Sequence, residues 1–279
     1  MNYTKCPLTI GMLTYNSPNT LKHTLMSYYT NGLLDLTDDI ICIIQPSIKS
    51  NEEIDICNTF NINYILEPFN TLMAGGIKRI WENAKYDYVL FLECDFYLTS
   101  SKKDTEHLIS LSLNYLQSNT FDIVRLRSLK NPGHYMQARK WAITNMNNFL
   151  TPELYLLTYI LENPQDVFPE QIKKISDDPL IYSMTNKHCV YTNNPHIIHR
   201  SFYNNYIKPH IKEGSNLESQ IDLTWSFTNN HKIAITSGLF THNRIDGHTN
   251  CLCCPIIYGG MSDICDHGCC PSTIQTISP

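Results

Sequence analysis

Short apolar runs alternate with helical patterns from residue 7 to residue 92, and this alternation constrains the fold more than any other feature. Four apolar runs have the length of a buried strand and end at polar or turn residues: 7–13, 39–45, 63–66 and 88–92. Three intervening segments repeat apolar residues at helical spacing: 19–29, 52–60 and 72–84. Strands that alternate with helices predict an α/β fold with a mostly parallel, doubly wound sheet.

The second half of the chain has a weaker pattern. It predicts two strands, at 121–126 and 232–240, and two helices, at 152–162 and 219–227. The sequence has no linker signal before Gly247. Residues 1–246 are therefore interpreted as one domain and residues 247–279 as a short cysteine-rich C-terminal appendage.

Composition excludes several classes of protein. The 279 residues have a formal charge of −5, are 42% hydrophobic and 17% charged, and contain no block of five like charges. Such a chain can build a core, and it lacks the excess of basic residues that binds a nucleic-acid backbone. The longest apolar runs are too short to span a bilayer, and the N-terminus has no signal-peptide pattern. The sequence predicts a cytoplasmic protein with no transmembrane segment and no nucleic-acid partner.

The eleven cysteines are unevenly distributed, with five scattered and six crowded near the C-terminus. The scattered ones are expected to be reduced thiols: Cys6, Cys42, Cys57, Cys94 and Cys189. Four in the tail have the spacing of a tetrahedral zinc site: Cys251, Cys254, Cys265 and Cys269. Disulfides, lipidated cysteines and unpaired thiols remain open alternatives for this tail.

Two acidic residues, Glu93 and Asp95, follow the fourth predicted strand. In open α/β sheets ligands bind beyond the carboxyl ends of the strands, so both side chains are expected in a ligand crevice. Carboxylate oxygens suit a hard divalent cation, which can neutralise a departing diphosphate. Solvated acids are also common at strand ends, and the pair alone leaves that alternative open.

Three stretches, in order, resemble a known family: LTIGMLTYNSP at 8–18, EPFNTLMAGGIKRIWENA at 67–84 and YDYVLFLECDF at 86–96. Together they make residues 8–100 similar to the nucleotide-binding half of a GT-A fold glycosyltransferase of the family-2 type. The resemblance implies a Rossmann-like, doubly wound mixed sheet. It also implies a nucleotide-sugar half at residues 1–100 and an acceptor half at residues 101–246.

The resemblance further implies a donor site for a nucleotide-sugar, expected to be a UDP-sugar. The residues matched to it are Thr14, Tyr15, Asn16, Gln45, Asn70, Gly75, Glu93, Cys94, Asp95 and Arg127. A divalent ion, Mn²⁺ or Mg²⁺, would be held by Asp95, Glu93 and His242. His242 ends a Gly-Leu-Phe-Thr-His stretch similar to the family's C-terminal histidine segment, and an ordinary surface or core histidine is the alternative.

Two positions depart from the family pattern. Glu93 stands where relatives have the first Asp of their acidic motif. Gln45 ends the second strand, where many relatives have an Asp that contacts the base. A glutamine can still pair with uracil, because its amide both donates and accepts hydrogen bonds.

The family's general base is an acid near the start of a helix, and the matching segment here begins at Asn216. Glu218 is the first candidate because it stands nearest the helix start. Asp222, four residues later on the same face, is the second. A solvated helix face is the alternative. By family likeness, the transfer is expected to invert the anomeric carbon.

Two other segments are candidates for the acceptor side. Arg125 and Arg127 alternate along a predicted strand and face the same side, toward a phosphate, an acceptor or nearby acids. His196 and His199 are expected to be structural rather than catalytic.

The combined interpretation is a metal-dependent glycosyltransferase. A sugar-1-phosphate nucleotidyltransferase of the same fold ranks lower, because it needs a Gly-rich basic loop and Thr-Tyr-Asn-Ser-Pro stands there at residues 14–18. A non-catalytic protein that assembles through its cysteine tail is the alternative from another class.

Overall fold

The computed structural model describes residues 5–133, 151–225 and 230–246. Within them, ten strands form one mixed sheet. The strands are β1 (Leu8–Tyr15), β2 (Asp39–Gln45), β3 (Asn63–Leu66), β4 (Tyr88–Glu93), β5 (Phe96–Leu98), β6 (Ile123–Arg127), β7 (Lys173–Asp177), β8 (Leu180–Thr185), β9 (His196–His199) and β10 (Lys232–His242).

The α-helices of the described residues cover both faces of this sheet. They are α1 (Pro18–Thr30), α2 (Ser50–Thr59), α3 (Leu72–Asn83), α4 (Lys102–Gln117), α5 (Pro164–Val167), α6 (Arg200–Phe202) and α7 (Leu217–Trp225). Short 3-10 helices lie at Leu33–Asp35, Thr151–Tyr159 and Lys208–His210, and a π-helical turn at Tyr203–Ile207.

The strand order is β3-β2-β1-β4-β9-β6-β10-β8-β7, with β5 paired to β10. Strands β1 to β4 are mutually parallel. Strand β9 runs antiparallel between β4 and β6, and β10 runs parallel to β6. The carboxyl ends of β1, β2, β3, β4, β6 and β10 therefore meet at one edge of the sheet. The residues that end them are Tyr15, Gln45, Leu66, Glu93, Arg127 and His242.

The predicted α/β sheet is confirmed. All six predicted strands are present with small shifts at their ends, and so are the helices predicted at 19–29, 52–60, 72–84 and 219–227. The segment at 152–162, predicted to be an α-helix, forms a 3-10 helix instead. The sequence pattern does not predict β5, β7, β8, β9 or α4.

Two apolar layers cover the two faces of the sheet. Leu8, Ile10 and Met12 of β1 pack with side chains of α1 and α4 on one face. Gly11 faces α3 on the other, where a Cβ atom would lie only 2.2 Å from Cγ2 of Ile80. Glycine at this position therefore lets α3 lie directly on the strand.

The five scattered cysteines are free thiols, as predicted. None of the described helices is both long and apolar enough to cross a bilayer. The tail cysteines and their predicted zinc site, at residues 251–269, lie outside the described residues.

Candidate active site

Residues 93–95 lie at the end of β4 and direct their side chains to different surroundings. Leu92 and Cys94 lie in the core below α1, whereas Phe91 joins the opposite apolar layer. Because side chains alternate along a strand, Glu93 shares the face of Phe91. Burial, with the charge of Asp95 second, raises the pKa of Cys94 to about 12. Cys94 is therefore a neutral thiol of the core rather than a side chain of the crevice.

Asp95 lies beside His242, the last residue of β10. Asp95 Oδ2 is 3.3 Å from His242 Nε2. The other oxygen, Oδ1, is buried and has no hydrogen-bond partner among the described residues. Burial acts to raise the pKa of Asp95, but His242 and Arg244 outweigh it and hold the pKa below its ordinary value. Asp95 is thus an ionised carboxylate with one unpaired oxygen.

Pairing within the sheet fixes the position of His242. It lies opposite Phe96 of β5, and the two rings meet edge to face with centroids 5.2 Å apart. Gly133 bridges to His242 with a φ of 74°, and a Cβ there would lie 2.1 Å from the carbonyl oxygen of His242. Only glycine fits this approach, which holds the imidazole against Asp95.

The pKa of Glu93 is shifted in the opposite direction to that of Asp95. Burial raises the pKa of Glu93 well above its ordinary value, and the negative charges of Asp95 and Glu218 add to the rise. Arg244 and Arg127 oppose that rise without cancelling it. Of these two neighbouring acids, Asp95 therefore ionises more readily than Glu93. A protonated carboxyl can donate a hydrogen bond to a sugar hydroxyl.

Asp95 and His242 fit a divalent cation as two of its ligands. A carboxylate beside an imidazole suits Mn²⁺. Within residues 5–133, 151–225 and 230–246, no group of three His, Cys, Asp or Glu side chains is placed to hold a metal. Diphosphate oxygens and water would fill further positions, and the role of Glu93 as a third ligand stays a prediction.

The loop after β1 is held by a buried acid that the sequence pattern does not reveal. Glu53 of α2 accepts hydrogen bonds at Oε1 from Thr14 Oγ1 at 2.7 Å and from Ser17 N at 3.0 Å. Asn16 adopts a φ of 50°, and Tyr15 is 45% exposed at the edge of the sheet. Glu53 therefore sets the shape of the loop that contains the predicted donor residues.

A segment after β10 closes over the same loop. Arg244 donates from Nη2 to Ser17 Oγ at 2.6 Å, and its Nη1 lies 3.7 Å from Asp95 Oδ2. Asp246 accepts a hydrogen bond from Thr20 N at 2.7 Å, in the first turn of α1. A negative charge is favoured there, because the helix dipole is positive at that end. The sequence pattern predicts neither Arg244 nor Asp246 as a site residue.

Three predicted donor residues lie around the start of α3. The amide of Gln45 donates to Thr71 Oγ1 at 3.0 Å and accepts from Thr71 N at 2.8 Å. Asn70 Oδ1 accepts from Leu72 N at 2.9 Å. A Cβ at Gly75 would lie 2.3 Å from the Cβ of Thr71. These groups shape the junction between β2 and α3, and their contact with a nucleotide stays a prediction.

Glu218 lies close enough to the acidic pair that its charge raises the pKa of Glu93. It is the second residue of α7, and its Oε1 accepts a hydrogen bond from Asn193 N at 2.6 Å. The structure thus places the predicted base near the predicted donor site. The side chain of the second candidate, Asp222, lies outside the described residues.

Two buried arginines of β6 hold the segment that contains Asn193. Arg127 donates from Nη1 to Asn194 Oδ1 at 2.8 Å. Arg125 donates from Nη2 to the carbonyl oxygen of Val190. Since Asn193 also bonds to α7, this segment is anchored on both sides, and it positions the predicted base.

His196 and His199 have surroundings that agree with a structural role. The Nδ1 atom of His196 lies 2.7 Å from the carbonyl oxygen of Asn194, and burial lowers the pKa of His196 to about 4. His199 accepts a hydrogen bond from Ser201 N and caps α6. The imidazole of His196 is therefore neutral at physiological pH.

No family model and no curated protein matches this chain. Solved structures do match it. Residues 1–349 of TarS from S. aureus give a TM-score of 0.51 at 13% identity, over 86% of this chain and 60% of that one. A longer TarS structure gives 0.50 at 9% identity, over 86% and 37%. Glucosyl-3-phosphoglycerate synthase from Mycobacterium tuberculosis, in complex with Mn²⁺ and UDP-glucose, gives 0.47 at 11% identity, over 86% and 72%.

The likeness to TarS shows the fold. The chain has the GT-A fold, and the expected architecture of a mixed, doubly wound α/β sheet is confirmed. The chain spans 60% of the length of the TarS 1–349 structure that it matches.

Proposed function

We propose that this protein is a metal-dependent glycosyltransferase that moves a sugar from a nucleotide-sugar, expected to be a UDP-sugar, to an acceptor hydroxyl with inversion. One observation supports this above the others: a buried, ionised Asp95 has an unpaired oxygen and lies 3.3 Å from His242. This pair stands at the sheet edge where GT-A folds bind ligands. The proposed donor half is residues 1–100 and the acceptor half residues 101–246.

On the donor side, Asp95 and His242 would hold Mn²⁺ or Mg²⁺, which supplies positive charge to the diphosphate as it leaves. Arg244 adds a guanidinium on the same side, fixed by its bond to Ser17. Burial raises the pKa of Glu93, and its carboxyl group would contact a ribose hydroxyl or complete the metal site.

On the acceptor side, Glu218 would act as the general base. The acceptor oxygen attacks the anomeric carbon and its proton moves to Glu218, while the bond between that carbon and the diphosphate oxygen breaks. The nucleoside diphosphate leaves with the bonding electrons, and attack from the opposite side inverts the carbon. The bond from Asn193 N to Glu218 orients the carboxylate for this step.

The nucleotidyltransferase alternative is disfavoured by the surroundings of the first loop. Such an enzyme must neutralise a triphosphate beside this loop. Here the buried carboxyl group of Glu53 accepts hydrogen bonds from the loop, and Asp246 accepts from the first turn of α1. These acids are used to hold the loop and the helix, and the loop at residues 14–18 itself has no basic residue for a triphosphate.

Nucleoside diphosphate release from a panel of nucleotide-sugars, measured with Mn²⁺, tests the proposal. Asp95→Asn is expected to lower metal-dependent turnover about 100-fold or more, because it removes the charged ligand. Asp55→Asn, an exposed change on α2, is the matched control and is expected to keep wild-type turnover. Equal turnover in Asp95→Asn and the wild type would contradict the metal site.

Calorimetry with UDP and Mn²⁺ separates the non-catalytic alternative. Binding together with turnover supports the transferase. Binding without turnover of any sugar in the panel favours an inherited site in a non-catalytic protein. A folded wild-type protein that binds neither ligand contradicts the donor site and favours a role in assembly.

A further inference from the structure

Arg125 is a buried cation whose charge no described acid pairs directly. Arg125 is only 2% exposed, and within the described residues no carboxylate forms an ion pair with it. Nη2 donates to the carbonyl oxygen of Val190, and the guanidinium lies 5.0 Å from the ring centroid of Tyr155. Nη1 is buried and has no hydrogen-bond partner in the described part of the chain. A buried guanidinium nitrogen without an acceptor is costly, so a ligand group is expected to accept a hydrogen bond from Nη1.

Two further polar atoms with no described partner belong to the same region. They are the hydroxyl of Tyr159 and Oδ1 of Asn193. Burial raises the pKa of Tyr159, and the charges of Arg127 and Arg125 oppose the rise, so both guanidinium groups lie near the phenol. Arg125 Nη1 and the Tyr159 hydroxyl are thus two donors without a described partner in one region.

This group lies next to the proposed base. Arg125 binds the carbonyl of Val190, and Glu218 binds the N–H of Asn193, three residues further along the same segment. The same segment therefore contacts both Arg125 and Glu218, and the charge of Glu218 acts on the pKa of Arg125.

We propose that Arg125 and Tyr159 bind an anionic group, a carboxylate or a phosphate, on the acceptor and so hold its hydroxyl beside Glu218. This inference rests on the proposed glycosyltransferase function and adds the chemical class of the acceptor. The acceptor is a hydroxyl compound that also has an anionic group. A guanidinium and a phenol hydroxyl both donate to such oxygens, and bonds to charged groups are the strong ones.

The first experiment measures binding by calorimetry without any nucleotide-sugar. The probes are glycerol, glyceric acid and glycerol phosphate, which share hydroxyl groups and differ in the anion. The full chain is expected to bind at least one of the two anionic probes about tenfold or more tightly than glycerol. The glyceric acid and glycerol phosphate measurements show whether the site prefers a carboxylate or a phosphate.

Variants assign that preference to the site. Arg125→Gln is expected to abolish the preference for anions, and Tyr159→Phe, which removes one hydroxyl, to weaken it about threefold to tenfold. Lys103→Gln, an exposed charge change on α4, is the matched control and is expected to keep the wild-type preference. If Arg125→Gln does not fold, Tyr159→Phe still decides the question.

The second experiment repeats the comparison during turnover, with the best donor of the nucleotide-sugar panel. The anionic acceptors are expected to have a KM about tenfold or more below that of glycerol, and Arg125→Gln to remove that difference. Turnover with equal KM for all three acceptors, or anion binding unchanged in both site variants, overturns the inference and leaves the transferase intact. Arg125-dependent anion binding in a protein that binds no nucleotide-sugar supports the anion site and contradicts the proposed function.

Discussion

The two halves of the proposed site bury opposite charges. Among the described residues, the buried acids are Asp39, Glu53, Glu67, Asp95 and Asp246. The first four lie in the donor half, and Asp246 packs against α1 of that half. The buried arginines of the described residues, Arg125 and Arg127, both lie in the acceptor half.

This difference separates two ways of building a site. In the donor half, most buried carboxylates are used internally: Glu53 holds the first loop, Glu67 pairs with Arg79, and Asp246 caps α1. Asp95 differs, because one of its oxygens has no described partner. In the acceptor half, the arginines donate to the segment that orients Glu218. The donor half is thus organised around one reactive acid, and the acceptor half around fixed cations.

Glu218→Gln tests the acceptor half at its one proposed catalytic acid and has the largest expected effect. The kcat for transfer is expected to fall about 100-fold to 10,000-fold, because the amide cannot take the acceptor proton. Stability is expected to change little, since the amide oxygen can still accept the hydrogen bond from Asn193 N. The measurements are initial rates at saturating donor and a thermal unfolding curve.

Glu170→Gln, an exposed change outside the site, is the matched control and should keep the wild-type rate. If Glu218→Gln also keeps it, the base lies elsewhere, and Asp222→Asn is the next variant to measure. Loss of activity with a much lower unfolding temperature would assign Glu218 to structure rather than to proton transfer.

Arg127→Gln tests whether the acceptor half depends on its buried cations. The guanidinium donates from Nε to Pro132 O at 2.7 Å and from Nη1 to Asn194 Oδ1 at 2.8 Å. Loss of these buried bonds is expected to lower the free energy of unfolding by about 3 kcal/mol. Urea unfolding measures the change. Arg127→Lys keeps the charge but not the planar set of donors, so its unfolding free energy should fall less. An unchanged urea midpoint in Arg127→Gln would show that the acceptor half does not depend on this buried cation.

The parts of the fold that the sequence predicts are those formed by long local patterns. Strands β1, β2 and β4 are continuous apolar runs and were predictable for that reason. Strands β5 and β9 have three and four residues, and their pairing depends on distant partners rather than on their own pattern. Helix α4 had a usable signal, because Ser101 Oγ accepts a hydrogen bond from Asp104 N as a cap ahead of an apolar stripe.

The same distinction applies to the site. Asp95, His242 and Glu218 follow from short stretches that resemble family motifs. The structure places Asp95 beside His242, and the charge of Glu218 acts on the pKa of Glu93. Glu53 and Asp246 do not follow, because their roles depend on contacts with residues 39 and 226 positions away. A buried acid that caps a distant loop has no local pattern, so only the folded chain reveals it.

Asp246→Ala tests the one buried acid that reaches the donor half from the end of the domain. It removes the acceptor of the bonds from Thr20 N and Asn19 Nδ2, at 2.7 Å and 2.9 Å. Loss of this helix cap is expected to cost about 1 kcal/mol of unfolding free energy. Asp246→Asn keeps an acceptor oxygen, so its unfolding free energy should fall by about half as much. The fall should be clearest at low salt, where the interaction with the helix dipole is strongest. Equal stability of all three proteins would show that the segment after β10 does not anchor α1.

Glu53→Gln has the smallest expected effect and tests whether a buried donor-half acid is tuned by burial. Burial raises the pKa of Glu53 above its ordinary value of 4.5, so the folded chain holds this proton more tightly than the unfolded chain. Its contribution to stability is therefore fully present below the unfolded pKa and is lost as the pH rises through the folded pKa. Glutamine keeps an oxygen for Thr14 and Ser17 but does not titrate.

Urea unfolding between about pH 4 and pH 8 should show a wild-type stability that falls relative to Glu53→Gln as the pH rises. The neighbouring exposed change Glu52→Gln should follow the wild-type curve, and parallel curves for Glu53→Gln and the wild type would show that the buried acid does not titrate with folding.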